Sequence, residues 1–336
     1  MKIQAPGKLI LSGEHAVVYG KPALAMAVNR YVIAKVVSQT SPFISFDLSD
    51  LAYEHRFRFS TLRQLKERIK RKYERFMKGD IKISEVLQKP VELAQFAFMI
   101  FFDTLNMKLN QGVKIYLESE IPMGCGMGSS AATILSIVHA MALHVGINLP
   151  QDTFFRLGLE AENMQHGYSS GLDLQASLRG SCIYMHGKEI ISRPLPNMKF
   201  HWVNTGSPKT TTGESVATVA SHFKSSSIWD EFEIVTKAMD QAFQANQVDQ
   251  VKTMVKANHQ LLTKIGVVPD RVAEFVDEVE GRDGAAKICG AGATRGDSAG
   301  MLLVMVDDEE FLKNLCEKYA YGILPVLGEE RGVHVV

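Results

Sequence analysis

Period-two patterning dominates the start of the chain. Tyr31-Val32-Ile33-Ala34-Lys35-Val36-Val37 is rich in β-branched residues, and Gly13 and Gly20-Lys21-Pro22 supply turns, so residues 1–37 are predicted as β structure. Residues 41–60 alternate around Ile44, Phe46 and Leu48, a further strand pair. From Thr61 to Lys78 the period becomes helical, with Leu62, Leu65, Ile69 and Tyr73 on one face. Residues 90–106 predict a second helix, apolar almost all round and therefore buried. Alternation returns in Val113-Lys114-Ile115-Tyr116-Leu117-Glu118, a strand. A helix over Ser129–Val145 closed by Gly146 follows, then a helix over 151–165 and a polar turn over His166–Asp173. Residues 181–192 form a hairpin about His186-Gly187.

A strand near Phe200–Asn204 opens a second half. It predicts helices at 228–245, 248–265 and 269–279, a glycine-rich turn at 290–300 and a strand Met301–Val306. A helix at 308–318 and a last strand near Gly332–Val336 complete it. At 336 residues the chain exceeds what one core usually supports, so two domains are expected, 1–196 and 197–336.

Charge changes this picture little. Lys plus Arg and Asp plus Glu each number 37, so nothing in the overall balance points to nucleic acid or an anionic membrane, and any phosphate site must be local. The basic run Lys66, Arg68, Lys70, Arg71, Lys72 is interrupted by Glu67 and Glu74 and reads as a solvated helix face rather than an anion site. The four cysteines, Cys125, Cys182, Cys289 and Cys316, form no CxxC pair, which argues against a disulfide framework or a structural metal. The opening Lys2-Ile3-Gln4-Ala5-Pro6 has no apolar signal character, and the longest apolar run, Ala94–Phe102, is far short of a membrane span. The expected compartment is cytoplasmic.

The most informative chemistry lies in Pro122-Met123-Gly124-Cys125-Gly126-Met127-Gly128-Ser129-Ser130-Ala131-Ala132. Alternate glycines between a strand and a helix let backbone N–H groups converge on one point, and the helix start adds unpaired amides and its positive dipole end. Such a loop attracts a nucleotide triphosphate. Gly7-Lys8 is followed by Leu9, so a Walker A template fails. Gly124-x-Gly126 continues as Met-Gly-Ser-Ser, so the dinucleotide fingerprint fails as well.

Three further segments narrow the reading. They are Ala5-Pro6-Gly7-Lys8-Leu9-Ile10-Leu11-Ser12-Gly13-Glu14-His15-Ala16-Val17-Val18-Tyr19-Gly20-Lys21, Glu162-Asn163-Met164-Gln165-His166-Gly167-Tyr168-Ser169-Ser170-Gly171-Leu172-Asp173, and Lys287-Ile288-Cys289-Gly290-Ala291-Gly292-Ala293-Thr294-Arg295-Gly296-Asp297-Ser298-Ala299-Gly300. With the glycine loop, their order and spacing resemble the signature motifs of the GHMP kinase family, and the first string looks most like its mevalonate kinase branch.

The resemblance implies a two-domain α+β fold: an amino-terminal half like ribosomal protein S5 domain 2 and a ferredoxin-like carboxy-terminal half, with ATP and substrate meeting between them. It implies phosphorylation of mevalonate, with Asp173 as general base and Lys8 as the cation that keeps it ionised. Ser130 and Glu162 match the family's Mg²⁺ ligands, with Ser129 the alternative to Ser130 and Glu160 a weaker rival to Glu162. Pro122, Gly124, Gly126, Met127, Gly128, Ser129, Ser130 and Ala131, with Gly290, Ala291 and Gly292, match its ATP-binding positions. Glu14, His15 and Thr211 join Asp173 as positions near the substrate, and a homodimer is the family's common assembly. In the third motif Ala293, Thr294 and Arg295 replace part of the usual glycine run, leaving Arg295 as either a phosphate contact or a solvent-facing side chain. Another small-molecule kinase of the family, such as a phosphomevalonate kinase, and a non-catalytic metabolite sensor on the same fold are the alternatives.

Overall fold

The computed structural model describes every residue from Met1 to Val336 except Lys108 and Asn110. The first half is built on a long, buried strand pair. β1 (Ile3–Ser12) runs antiparallel to β2 (Ala23–Gln39), with register shifts at Pro6/Gly7 and Ile10/Ser12. A proline inside a buried strand is tolerated at such an irregularity, because it has no N–H to give the ladder. The hairpin β3 (Ile44–Leu48) and β4 (Tyr53–Phe57) leads into α1 (Phe59–Met77) and α2 (Pro90–Thr104). β5 (Gly112–Ser119) then pairs β2 antiparallel and β3 parallel. Pro90 takes the first helical position of α2, where its missing N–H is harmless. Positions 91 to 102 of α2 are all buried, as its all-round apolar pattern predicts.

α3 (Ser129–Val145), α4 (Gln151–His166) and α5 (Leu172–Arg179) follow, and α3 and α5 both pack on β1 and β2. The hairpin β6 (Cys182–His186) and β7 (Glu189–Arg193) adds to the first part of β2. The polar turn expected over His166–Asp173 is shorter than its reading: helix resumes at Leu172, so Asp173 sits in the first turn of α5.

The second half has one antiparallel sheet in the order β11 (Gly322–Leu324), β8 (His201–Asn204), β10 (Met301–Met305), β9 (Ala285–Cys289). Around it lie α6 (Thr212–Phe223), α7 (Ile228–Gln244), α8 (Val248–Lys264), α9 (Asp270–Glu280) and α10 (Glu309–Tyr319). Period-two geometry splits β10 between two cores. Leu302 and Val304 join Phe232, Phe275 and Ile288, whereas Met301, Leu303 and Met305 join the core that contains Phe46, Phe98 and Leu135. Both faces of the strand are therefore dry, and the halves share a packed interface. Arg193 of β7 adds a two-bond contact to Asp240 of α7, at 2.9 Å for each bond.

Beyond β11 the chain crosses back to the first sheet. β12 (His334–Val335) pairs β1 through Ile3↔Val335 and Gln4↔His334. The strands of the first sheet thus come from residues 3 to 193 and from 334–335, and those of the second from 201 to 324.

Candidate active site

The glycine loop leaves β5 and ends at Gly128, the residue before α3. Gly128 has φ 75°, a left-handed conformation that strains any side chain, and a Cβ there would lie 2.8 Å from Cγ of Lys8. The loop and β1 are thus fitted face to face, and the Lys8 amide donates to Met127 O at 2.9 Å. The first-turn amides of α3 have no partner within the helix and open where the dipole is positive.

Lys8 projects from β1 with its side chain buried. Its Nζ donates to Gly126 O at 2.9 Å and lies 3.1 Å from Oδ2 of Asp173. Asp173 keeps 28% of its side chain exposed, so one carboxylate faces the cation and also the open cleft. Their separation of 165 positions in sequence is closed by packing α5 on β1.

Beside this pair, Ser130 Oγ donates to Glu162 Oε1 at 3.3 Å, and Ser169 Oγ donates to Glu162 Oε2 at 2.6 Å. His166 Nε2 lies 3.1 Å from Ser130 Oγ. Burial, and then the charge of Asp173, push Glu162 up to about 7, against the pull of Ser169, Lys8 and Ser130. Burial holds His166 down at about 4, with Lys8 acting in the same sense and Asp173 opposing.

The second half supplies the opposite wall. Gly290, Ala291 and Gly292 line it, and Ala291 O accepts from Nε2–H of His15 at 3.1 Å. Glu14 is buried, with one carboxylate oxygen on Lys287 and the other accepting from Asn258 Nδ2 at 3.3 Å. Thr211 caps α6, its Oγ1 accepting from the Glu214 amide at 3.3 Å.

Together these groups bound a cleft of about 790 Å³ between the halves. Lys8, Glu14, His15, Glu162, Asp173 and Thr211 line it. So do all the loop positions singled out from sequence except Ala131, which is buried in the core beneath the loop. Arg295 is exposed and lies outside the lining, so of its two readings the structure has the solvent-facing one. The cleft continues along an apolar wall that includes Leu48, Leu87, Leu93 and Leu117. Among the described residues, Lys8 and Lys89 are the only lysine or arginine side chains that line it. Sequence reasoning assigned no role to His166, Ser169, Asn258 or Lys287. Three of these stand inside the quoted motifs, and their polarity among glycines was the available signal.

The chain is similar to known proteins over most of its length. The family model for the GHMP kinases N terminal domain matches residues 92–181. The mevalonate kinase of Methanocaldococcus jannaschii is 27% identical over 325 residues, covering 94% of this chain and 96% of that protein. The mevalonate kinase of Pyrococcus horikoshii is 29% identical over 307 residues, covering 86% and 84%. The crystal structure of Methanococcus jannaschii mevalonate kinase superposes with a TM-score of 0.78 at 26% identity, covering 98% of both chains. Residues 92–181 thus match the GHMP kinase N-terminal domain, and over most of its length the chain is similar to mevalonate kinases in sequence and fold, an enzyme most like them.

Proposed function

We propose that this enzyme transfers the γ-phosphoryl group of ATP to the 5-hydroxyl of (R)-mevalonate, giving 5-phosphomevalonate and ADP. The observation that carries the reading is the Lys8–Asp173 pair, 3.1 Å apart, beside the glycine loop. Asp173 takes the proton of the attacking hydroxyl. That oxygen bonds to the γ-phosphorus as the bond to the ADP oxygen breaks. Lys8 offsets the charge that gathers on the attacking oxygen, and the loop amides hold the triphosphate still. Phosphoryl transfer asks little covalent work of the protein, so positioning is most of its contribution.

Mg²⁺ takes hard oxygen ligands and keeps several waters, so one carboxylate and one hydroxyl beside phosphate oxygens suffice. Glu162 and Ser130 suit it: a desolvated carboxylate pushed up to about 7 gains from a cation at its side. The ion would neutralise phosphate charge when bound.

Glu14, His15 and Thr211 are assigned to the acceptor side of the cleft, and the apolar wall of Leu48, Leu87, Leu93 and Leu117 to the nucleotide base. The domains are taken as 1–196 and 197–336, with β12 donated back to the first sheet. We carry over from the family a homodimer in the cytoplasm; among the described residues no helix is long and apolar enough to cross a membrane. An acceptor that already carries phosphate would need further cations; of the two lysines that line the cleft, Lys8 is already committed to Asp173 and Gly126 O, which leaves Lys89 alone. The test is ADP release with mevalonate, phosphomevalonate, homoserine and galactose. Turnover with mevalonate is expected, and activity confined to any of the others overturns the substrate assignment.

A further inference from the structure

Glu14, assigned above to the acceptor side, belongs to a buried polar cluster whose other members have no part in the chemistry so far. Lys287 of β9 is completely buried, and each of its three N–H groups has a partner: the Glu14 carboxylate, Ile10 O at 3.2 Å and Ile288 O at 2.8 Å. The second oxygen of Glu14 accepts from Asn258 of α8. Asn258 Oδ1 accepts from Ser12 Oγ at 2.7 Å, which spends the only proton of that hydroxyl. Thr236 of α7 therefore donates to Ser12 Oγ, also at 2.7 Å. The network joins the end of β1 to three elements of the second half without a free donor on Lys287. Buried ion pairs add little net stability compared with apolar packing, and their best-attested use is to fix one register.

What this register fixes is the next residue. His15 has φ 57°, left-handed for a residue with a side chain. Its Nε2–H is spent on Ala291 O, so Nδ1 carries a lone pair; Nδ1 is buried, has no partner among the described residues, and belongs to a side chain lining the cleft. The same turn is tied to the second half by Tyr19 stacked on Trp229 at 4.3 Å and by Lys21 on Asp230 and Glu233 at 2.6 and 2.7 Å.

We propose that Lys287 is a positioning residue for the transfer site: its ion pair with Glu14 holds the Glu14–His15 turn, and with it the imidazole of His15 that lines the cleft, in the place the acceptor substrate meets. The inference rests on the proposed transfer site but not on the identity of the acceptor. Lys8, Asp173 and the glycine loop are held by other contacts, so removing Lys287 separates acceptor handling from nucleotide binding.

The test uses the full chain carrying Lys287→Met. Four quantities are read: the ¹⁵N resonances of His15, assigned by their loss in His15→Gln; AMP-PNP affinity by calorimetry; steady-state ADP release with mevalonate; and the melting temperature. The variant is expected to lose the fixed Nε2–H tautomer of His15. Its KM for mevalonate rises and its kcat falls, each by about tenfold or more, the scale of a misplaced reacting group, with AMP-PNP affinity within about threefold of wild type. Unchanged His15 resonances with wild-type KM and kcat would overturn the proposal. So would a parallel loss of nucleotide binding and melting temperature, which marks a purely structural pair. If Lys287→Met does not fold, Glu14→Gln/Lys287→Met removes both buried charges; it is expected to fold without the His15 signature, and regaining that signature counts against the role. A wild-type enzyme inactive on mevalonate refutes the substrate reading, while the resonances and AMP-PNP affinity still decide on Lys287.

Discussion

Replacing Gly128 by alanine tests the fit between loop and β1, with Gly146→Ala as its control. Both glycines cap α3, and their φ angles are nearly equal, 75° and 72°. An alanine in this left-handed region pays about 1–2 kcal/mol of backbone strain at either site. The neighbours differ. A Cβ at Gly146 meets nothing within 4 Å, whereas at Gly128 it falls 2.8 Å from Cγ and 3.3 Å from Cε of Lys8. Ordinary contact begins at 3.4 Å, so the Lys8 stem must yield by about 0.6 Å. Overpacking of this kind adds about 1–3 kcal/mol, so Gly128→Ala is the less stable variant by that difference.

The displaced stem carries the ammonium facing Asp173. A misplacement of about 1 Å can lose 10²-fold in rate, and the smaller shift here is expected to lower kcat by about 10–10²-fold. Gly146→Ala, with the same strain and no contact, keeps kcat near wild type while losing melting temperature. Thermal melts and ADP-release kinetics on the two variants decide the matter. Equal kcat for Gly128→Ala and Gly146→Ala would refute the idea that this glycine is required by the lysine beneath it.

The other predictions concern charge. Asp173→Asn is expected to lower kcat by about 10²–10⁴-fold with AMP-PNP binding retained, and near-wild-type turnover would favour a mechanism without a base. Glu162→Gln is expected to raise the Mg²⁺ concentration for half-maximal rate by at least about tenfold, the lower edge seen when even an outer partner of a metal is disturbed; an unchanged Mg²⁺ titration removes Glu162 from the metal site. Stability is expected to fall on acidification. Burial holds His15, His139, His166 and His259 each near 4, below the ordinary 6.5, so the unfolded chain protonates first and stability is lost as pH drops from 6.5 toward 4. The slope is up to about 1.4 kcal/mol per pH unit for each histidine. Glu162, raised to about 7, has the opposite sign: its contribution is present below 4.5 and lost as pH rises through 7, so it offsets one histidine. A melting temperature that stays flat between pH 7 and 5 contradicts this balance.

Much of this fold was legible from periodicity, and the exceptions have physical causes. α5 escaped because Leu172, Leu174, Ala176 and Leu178 are all buried at a spacing of two, the signature of a strand, in a helix surrounded on every side. α6 begins in threonines, poor helix formers, and is set by the reciprocal cap between Thr211 and Glu214. β9 hides behind Lys287, a charge in the middle of a dry strand whose partner Glu14 is 273 residues away. The same limit applies to the site. Local pattern picks out a glycine loop suited to phosphate, because its chemistry is contiguous. Nothing local joins Lys8 to Asp173, and there the family resemblance supplied what spacing could not.

The pairing of Ile3 with Val335 bears on how the molecule is made. The outer edge of the first sheet stays open until more than three hundred further residues have been synthesised. A fragment ending near residue 196 would leave the backbone donors and acceptors of β1 at Ile3 and Gln4 open to any neighbouring chain, a template for aggregation rather than an independent unit. Folding of the two halves is therefore coupled through a loop closure of nearly the whole chain, which slows the final step. Expressing either half alone is expected to yield insoluble protein.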